Sequence, residues 1–575
     1  MQLPRAFVLQ AAFLIACVSP VSAQAQSVPQ LHVGQVQDGA LKSGKSDSYA
    51  LALNAGDFVE TNVVTHGTRL LLTIYDPSGN KARGFGFGGP GRSIAFVAES
   101  SGKYRLEVSL GPGATDGPYT FTLTRIVSWD DSKQIAAKEK YQSPRIAALR
   151  AAVNEHQKGA VEDFWKEIHA SGAPVVEPLK DDPQDMLVTF LYQGSAGTRS
   201  VLIGWEPYNY LYPDDYRMIQ IAGTDVWYRT LKVDSRERFA YQLGPNAPPL
   251  FSSREPYPDD FASHVEAAMQ GDILNPKRLP GNPNSPDVPV KNDVSLVEMP
   301  NAPAQPWAVK REGVPEGTVT KQQFGSDLLK NQREIAVYTP PGYSRDREPY
   351  GVMVIFDERQ YLDDTLAPAP TILDNLIADH RIPAIVAILV DNPDGKRTQE
   401  LTCNREFSDF LSSELLPWAR RTYNVTTDPR QTIVAGSSYG GLAAACAGLF
   451  HSETFGNVLS QSGSFHWTPT KSNGSVDPVG LDSTVLPDYV AQQFIASPRL
   501  PVRFYMDAGT EEIDQLNHAG LPTSRLLRAV LVAKGYEVHY QEFHGSHNFR
   551  NWRGTLSDGL IALTKNSPSP TSPPK

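Results

Sequence analysis

The stretch that most constrains this chain is Thr432 to Leu449, T-I-V-A-G-S-S-Y-G-G-L-A-A-A-C-A-G-L. A β-branched run, Thr432-Ile433-Val434, enters a tight turn, and an alanine- and leucine-rich segment of helical character leaves it. Between them Gly436-Ser437-Ser438-Tyr439-Gly440 fits G-x-S-x-G, the pattern of a serine held in a strained strand-to-helix turn. Such a turn leaves no room for side chains close by, hence glycines two before and two after the serine. Only Ser438 has both. Common residues make the pentapeptide a weak signal alone, but the strand before it and Gly441, Ala443, Ala444 and Ala445 after it raise its specificity. Ser438 is therefore the candidate nucleophile.

The length, 575 residues, exceeds a single core, and roughly two to four domains are expected. A net charge of -10, dispersed along the chain, argues against a general nucleic-acid binder. Residues 1–25 read as a secretory signal: Arg5, an apolar run from Ala6 to Val18, then Val21-Ser22-Ala23-Gln24-Ala25 with small-residue cleavage sites. The run is too short to span a bilayer. Leu14-Ile15-Ala16-Cys17 resembles a bacterial lipoprotein signal, so lipid attachment at Cys17 is the alternative to cleavage near Ala23 or Ala25. Either reading makes the protein exported, periplasmic or secreted, with no later transmembrane segment. Cleavage near Ala25 leaves Cys403 and Cys446, which an oxidising compartment would allow to pair. Cys446, inside the small-residue helix, reads more simply as a buried thiol, and the pairing stays open.

Residues 28–126 show short alternating strands, among them Asp47–Leu53, Leu70–Tyr75, Gly102–Val108 and Tyr119–Leu123, separated by Gly/Pro turns. That spacing predicts a small β-sandwich. Residues 127–163 read as a helical linker, 164–250 as a second β-domain, and the Pro/Asn/Asp-rich 251–318 as an extended linker. From 319 to 565 the pattern becomes α/β. Tyr350–Phe356 and Ala384–Val390 are continuous apolar runs typical of strands buried on both faces, and helical stretches intervene at Ala369–His380, Glu406–Tyr423 and Ser524–Lys534. A mainly parallel sheet with helices on both faces is expected. The Ser/Pro-rich tail, 566–575, reads as disordered.

A serine hydroxyl needs a histidine to take its proton and a carboxylate to hold that histidine. For a serine on this kind of turn the chain order is serine, acid, histidine, each on a post-strand loop. His547 lies in Phe543-His544-Gly545-Ser546-His547, between the last strand and the terminal helix, where the base belongs; His544 is the runner-up. The acid falls among Asp507, Glu511, Glu512 and Asp514, after strand Val502–Met506, and residue types do not separate them. Backbone donors for the oxyanion are the Tyr439 amide and one from Asp357-Glu358-Arg359. No HExxH, Cys/His cluster or glycine-rich phosphate loop occurs, so no metal cofactor and no nucleotide are expected.

Residues 160–565 resemble the enterochelin (enterobactin) esterases, within the esterase family of α/β-hydrolases. In the second part of the chain the resemblance rests on G-S-S-Y-G-G-L-A (436–443), F-G-N-V-L-S-Q-S-G-S-F-H-W (455–467), E-L-T-C-N-R-E-F (400–407) and H-G-S-H-N-F-R-N-W-R-G-T-L (544–556). F-W (164–165), G-A-P-V-V-E (172–177), V-T-F-L-Y (188–192) and A-G-T-D-V-W-Y (222–228) carry it through the β-domain. The resemblance implies an α/β-hydrolase catalytic domain behind two small β-modules. It also implies hydrolysis of the esters of a ferric catecholate trilactone siderophore, with iron only as part of the substrate. It matches Ser438 to the nucleophile and His547 to the base, and its G-x-x-D/E loop, Gly509-Thr510-Glu511-Glu512, selects Glu512 as acid. Where the family commonly has D-G, this chain has Asp357-Glu358, which leaves Arg359 as the second oxyanion amide. For a trianionic substrate Arg397, Arg550 or Arg553 would supply charge, Glu400 and Asn404 would line the site, and Trp467 and Trp552 would stack on catechol rings, Trp552 with a core role as its alternative. Other readings are a general or feruloyl-type carboxylesterase, an acyltransferase, and a siderophore-binding module with a vestigial site.

Overall fold

The computed structural model describes residues 28–65, 68–88, 92–98, 100–111, 114–128, 139–180, 182–205, 216–247, 269–279, 293–393, 395–469, 488–513 and 520–565. The signal sequence with Cys17, the tail 566–575, Asp514 and His518 lie outside these residues. Two compact units are present. The first holds β1 (Val36–Leu41), β2 (Ser46–Leu53), β3 (Phe58–Thr65), β4 (Arg69–Tyr75), β5 (Lys81–Gly88), β6 (Arg92–Val97), β7 (Gly102–Leu110) and β8 (Gly117–Val127). They form two antiparallel sheets, β1-β8-β3-β6 and β2-β7-β4-β5. Alternation selects the inward face: Tyr104, Leu106 and Val108 of β7 are buried with Leu51, Leu72, Ile74 and Phe121. The buried Tyr119 hydroxyl donates to Asp47 at 2.7 Å and lies 2.7 Å from the Tyr49 hydroxyl, so the core tyrosines keep polar partners.

The second unit opens with α1 (Pro144–Asn154) and α2 (Ala160–Ser171), then β9 (Val175–Pro178), β10 (Asp185–Gln193), β11 (Val201–Trp205), β12 (Ile219–Gln220), β13 (Val226–Asp234), β14 (Arg238–Pro245), β15 (Arg278–Leu279) and β16 (Val294–Glu298). The strands pair as β12-β13-β10-β9 and β11-β14-β16-β15 around Phe190, Ile203, Phe239 and Tyr241. Two expected linkers are corrected here. Ile146 and Leu149 of α1 pack with Phe164, Trp165 and Ile168 of α2 on Leu191, Val226 and Tyr228, so the helical segment is part of this domain's core. The extended segment supplies β15 and β16, which complete a sheet. Their short runs between proline-rich flanks hide them from a periodicity argument.

The rest of the second unit is built on one eight-stranded sheet of β17 (Thr318–Ser326), β18 (Asn331–Thr339), β19 (Gly351–Phe356), β20 (Ile385–Val390), β21 (Thr432–Ser437), β22 (Asn457–Gln461), β23 (Arg503–Gly509) and β24 (Glu537–Phe543). The order is β17-β18-β20-β19-β21-β22-β23-β24. It is parallel from β20 to β24 and antiparallel at β17 and β18. Its helices are α3 (Glu358–Leu362), α4 (Ala369–Ala378), α5 (Arg397–Leu401), α6 (Arg405–Phe410), α7 (Leu416–Tyr423), α8 (Tyr439–Phe450), α9 (Tyr489–Ala496), α10 (Gly520–Ala533) and α11 (Phe549–Thr564), with a π-helical turn, Leu411–Leu415, joining α6 to α7. The apolar run in β19 serves two cores. Val352, Val354 and Phe356 pack under α6–α10, while Met353 and Ile355 pack under α4 and α11. Parallel strands put their following loops on one edge, and the site stands there. No helix among the described residues is long and apolar enough to cross a membrane.

The β13–β14 turn of the β-domain meets the loops after β23 and β24. His544 Nδ1 lies 3.3 Å from Asp234, and Glu237 is buried beside them. Burial, then the charges of Glu511 and Asp234, push the Glu237 carboxyl up to about 8. Folded Glu237 thus keeps a proton that the unfolded chain releases near the ordinary carboxylate value. Stability from this group is full below that value and is lost as pH rises through about 8. Glu237→Gln should leave Tm unchanged at pH 4 and raise it by several degrees at pH 9, read by calorimetry. An equal shift at both pH values would contradict this.

Candidate active site

Sheet register sets the site before any side chain is placed. Ser437, Gln461, Asp507 and Gln541 are successive partners across β21 to β24, so four chain exits stand side by side. At the first exit Ser438 has φ 58° and ψ -124°, between the end of β21 and α8. The expected glycine requirement has a direct cause: a Cβ on Gly436 would sit 2.6 Å from the Gly440 backbone. Ser437 is fully buried and Ser438 half-buried, which separates the two serines. The Ser438 amide donates to Gln461 O at 2.9 Å, and the Ser464 amide donates to Ser438 O at 3.0 Å. The Ser464 hydroxyl is 3.3 Å from the Ser438 hydroxyl.

The loops after β23 and β24 are laced together by Thr510 N–H to Phe543 O at 2.9 Å and Glu511 N–H to Gly545 O at 3.1 Å. A Cβ on Gly509 would lie 2.4 Å from Gly545 O, so only glycine permits this approach. Within the lacing, Glu512 Oε2 is 2.9 Å from His547 Nδ1. Its other oxygen accepts from the Ser462 hydroxyl at 2.7 Å and the Gly509 amide at 2.8 Å. Among the described acids left open by sequence, Glu512 is the one set against His547. Asp507 is fully buried and turned to the Ser462 amide at 2.9 Å, and burial pushes its carboxyl up to about 8. Glu511 faces away toward the β-domain, its carboxyl raised by burial and by Asp234. His544 pairs with Asp234. Of the other histidines, His451 pairs with Asp409 and Glu453, and His539 with Glu537.

The second expected oxyanion element also has a physical form. Asp357 adopts φ 60° just before α3, so the Glu358 and Arg359 amides occupy its first two positions, where a helix makes no internal use of them. A Cβ on Gly440 would be 3.4 Å from Asp357 Oδ2, so the starts of α3 and α8 are neighbours. The Arg359 guanidinium is paired with Asp391 at 3.0 Å. Glu358, which stands where glycine is common, is fully buried with Lys321 Nζ 2.8 Å from its carboxylate.

Several of the residues expected to contact ligand have protein partners. Arg397 grips Asp357 with two hydrogen bonds, 2.6 and 2.8 Å, and lies 5.9 Å over the Tyr439 ring, so it ties the starts of α3 and α8 together. Glu400 is the buried counterion of Arg333, at 2.7 and 3.0 Å, with Asn392 adding 2.6 Å. Asn404 caps α6 by accepting from Phe407 N–H at 3.0 Å. Trp552 is buried; its ring stands edge-on to His547 at 4.8 Å and its Nε1 donates to Ser462 at 2.9 Å. Arg553 donates to Gln305 at 2.6 Å. Arg550 donates weakly to Thr365 O at 3.4 Å. Trp467 remains half-buried on the Ser464 loop, edge-on to Tyr489 at 5.8 Å.

Two residues escaped the sequence reading. Ser462 supports Glu512, and nothing in a serine's identity signals that. His466 lies close enough to His547 and Glu512 to feel both charges; burial first, then His547, pushes its pKa down to about 4. Its Nδ1 and the Trp467 Nε1 are buried without a protein partner among the described residues. Cys403 and Cys446 are joined, with Cα atoms 5.4 Å apart, where a buried thiol was the simpler expectation for Cys446. The bond ties the α5–α6 turn to α8.

Residues 326–563 match the Esterase family model and residues 187–308 the model for the N-terminal domain of enterochelin esterase. The iron(III) enterobactin esterase of Escherichia coli O6:H1 is 31% identical over 353 residues, covering 60% of this chain and 81% of that protein. The protein of the same name from Dickeya dadantii is 29% identical over 434 residues, covering 72% and 95%. The crystal structure of the Shigella flexneri enterobactin esterase in the presence of enterobactin superposes with a TM-score of 0.53 at 27% identity, over 70% of this chain and 98% of that one.

The buried Glu400–Arg333 pair has a measurable consequence. Glu400→Ala strands a buried guanidinium and should cost about 3 kcal/mol or more in denaturant unfolding, with KM of the folded fraction unchanged. Unchanged stability with a raised KM would return Glu400 to the substrate surface.

Proposed function

The chain belongs to the enterobactin esterase family, and from that premise we propose that this ester hydrolase is an exported serine esterase that opens and cleaves a catecholate trilactone siderophore, releasing its iron. The observation that carries the reading is the buried Glu512 carboxylate, 2.9 Å from His547 Nδ1, on the loop beside the strained Ser438 turn. A binding module has no use for such a pair. Iron enters only as cargo of the substrate.

In this reading the Ser438 hydroxyl adds to a lactone carbonyl while His547 Nε2 takes its proton. Glu512, on Nδ1, holds the tautomer and offsets the imidazolium charge. The Tyr439 and Arg359 amides receive the oxyanion, and Arg397, through Asp357, keeps the two helix starts in place. Collapse expels the ester alcohol, which His547 protonates, and leaves an ester on Ser438. Water, losing a proton to His547, then releases the free acid and regenerates the serine. Trp467 offers an aromatic face for a catechol ring, and Arg550, in the first turn of α11, is a candidate cation. Export rests on the amino-terminal signal pattern and on the Cys403–Cys446 disulfide, a bond of oxidising compartments.

The test is a chromatographic time course of the mature protein with ferric and iron-free enterobactin, beside a simple aryl ester. Linear trimer, dimer and monomer should appear in order, and Ser438→Ala should slow this at least about a thousandfold. Aryl-ester turnover with an untouched trilactone would move the substrate elsewhere. Tight binding without turnover of either would favour a binding role.

A further inference from the structure

Ser462, the first residue beyond β22, is fully buried and sits at φ 43°. A non-glycine residue holds that backbone only when its surroundings over-determine it. Here Asp507 does so: the Ser462 amide donates to the Asp507 carbonyl at 3.1 Å and to its carboxyl oxygen at 2.9 Å. The turn aims the Ser462 hydroxyl between two groups, Trp552 Nε1 at 2.9 Å and Glu512 Oε1 at 2.7 Å. An indole nitrogen only donates and a carboxylate only accepts, so the single hydroxyl proton must point at Glu512. With the Gly509 amide on the same oxygen, Oε1 is occupied twice and Oε2 is directed to His547.

We propose that Ser462 is a positioning residue of the reaction, fixing the orientation and charge of Glu512 and thereby the basicity of His547. This rests on the reading of Ser438, His547 and Glu512 as nucleophile, base and acid. The titratable groups facing that pair are His466, on the loop after β22, and Asp507, on β23, with Asp558 of α11 acting on Asp507. Burial leaves His466 and Asp507 both uncharged near neutral pH, His466 at about 4 and Asp507 at about 8. The Glu512 carboxyl is thus shared between the Ser462 hydroxyl on Oε1 and the His547 ring on Oε2.

Removing the hydroxyl takes one donor from Glu512, so its charge is less satisfied and the His547 imidazolium is favoured. The acid limb of kcat/KM should move up by about half a pH unit or more. Two variants separate chemistry from backbone: Ser462→Gly deletes the hydroxyl and suits the left-handed turn, whereas Ser462→Ala deletes it and keeps the strain. Both are measured on an aryl ester across pH, and the downfield His547 Nδ1 proton is titrated by NMR, a readout that needs no turnover. The same upward shift in both, whatever happens to Tm, is the expected result. An acid limb and a proton midpoint at wild-type values in folded Ser462→Gly would overturn the proposal. Turnover surviving in Ser438→Ala would instead remove the reading on which it rests.

Discussion

The geometry of the site depends on one constraint, the left-handed backbone of Ser438 at the end of β21. A non-glycine residue in such a conformation costs on the order of 1–3 kcal/mol. The cost is borne because the turn is closed from all sides: Gly436 packs on the Gly440 backbone, the Ser438 amide reaches Gln461, and the Ser464 amide reaches back to Ser438. The helix that follows is packed on its inner face by alanines and glycines small enough to lie on β21 and β22. Strain at one residue is thus offset by a parallel sheet that buries nearly every neighbour.

Around that turn, environment and not residue type divides the labour among carboxyls. Glu512 receives donors on both oxygens and faces a histidine. Asp507 and Glu511, a few residues away, are desolvated with less compensation and are pushed toward the neutral form. Glu237 of the β-domain behaves likewise. The loops that carry Glu512 and His547 therefore rest on carboxyls whose burial favours the neutral form. The β-domain takes part through Asp234 and His544, three residues before His547.

Much of this was legible from residues alone, for reasons that can be named. Strands buried on both faces must be apolar throughout, so β19 and β20 stand out. The Ser438 turn admits little but glycine on its flanks, so G-x-S-x-G within a strand–helix context is informative. His547 is marked by its place between a last strand and a terminal helix. Arginine and glutamate give no such warning. Arg397 and Glu400 lie in a segment that resembles a binding loop, yet their partners are Asp357 and Arg333, distant in sequence and adjacent only across the folded sheet. The choice among Asp507, Glu511 and Glu512 depends on which way each side chain leaves one loop, and the strain at Ser462 has no signature in a serine. Strands β15 and β16 were hidden by brevity.

The most direct test of Ser438, His547 and Glu512 as one catalytic unit is active-site labelling with a fluorophosphonate, followed by peptide mass spectrometry. A single adduct on the Ser438 peptide is predicted, formed slowly when Glu512 is replaced by glutamine and absent from Ser438→Ala. Labelling at another serine, or unimpaired ester turnover by a protein that Ser438→Ala leaves unlabelled, would contradict it.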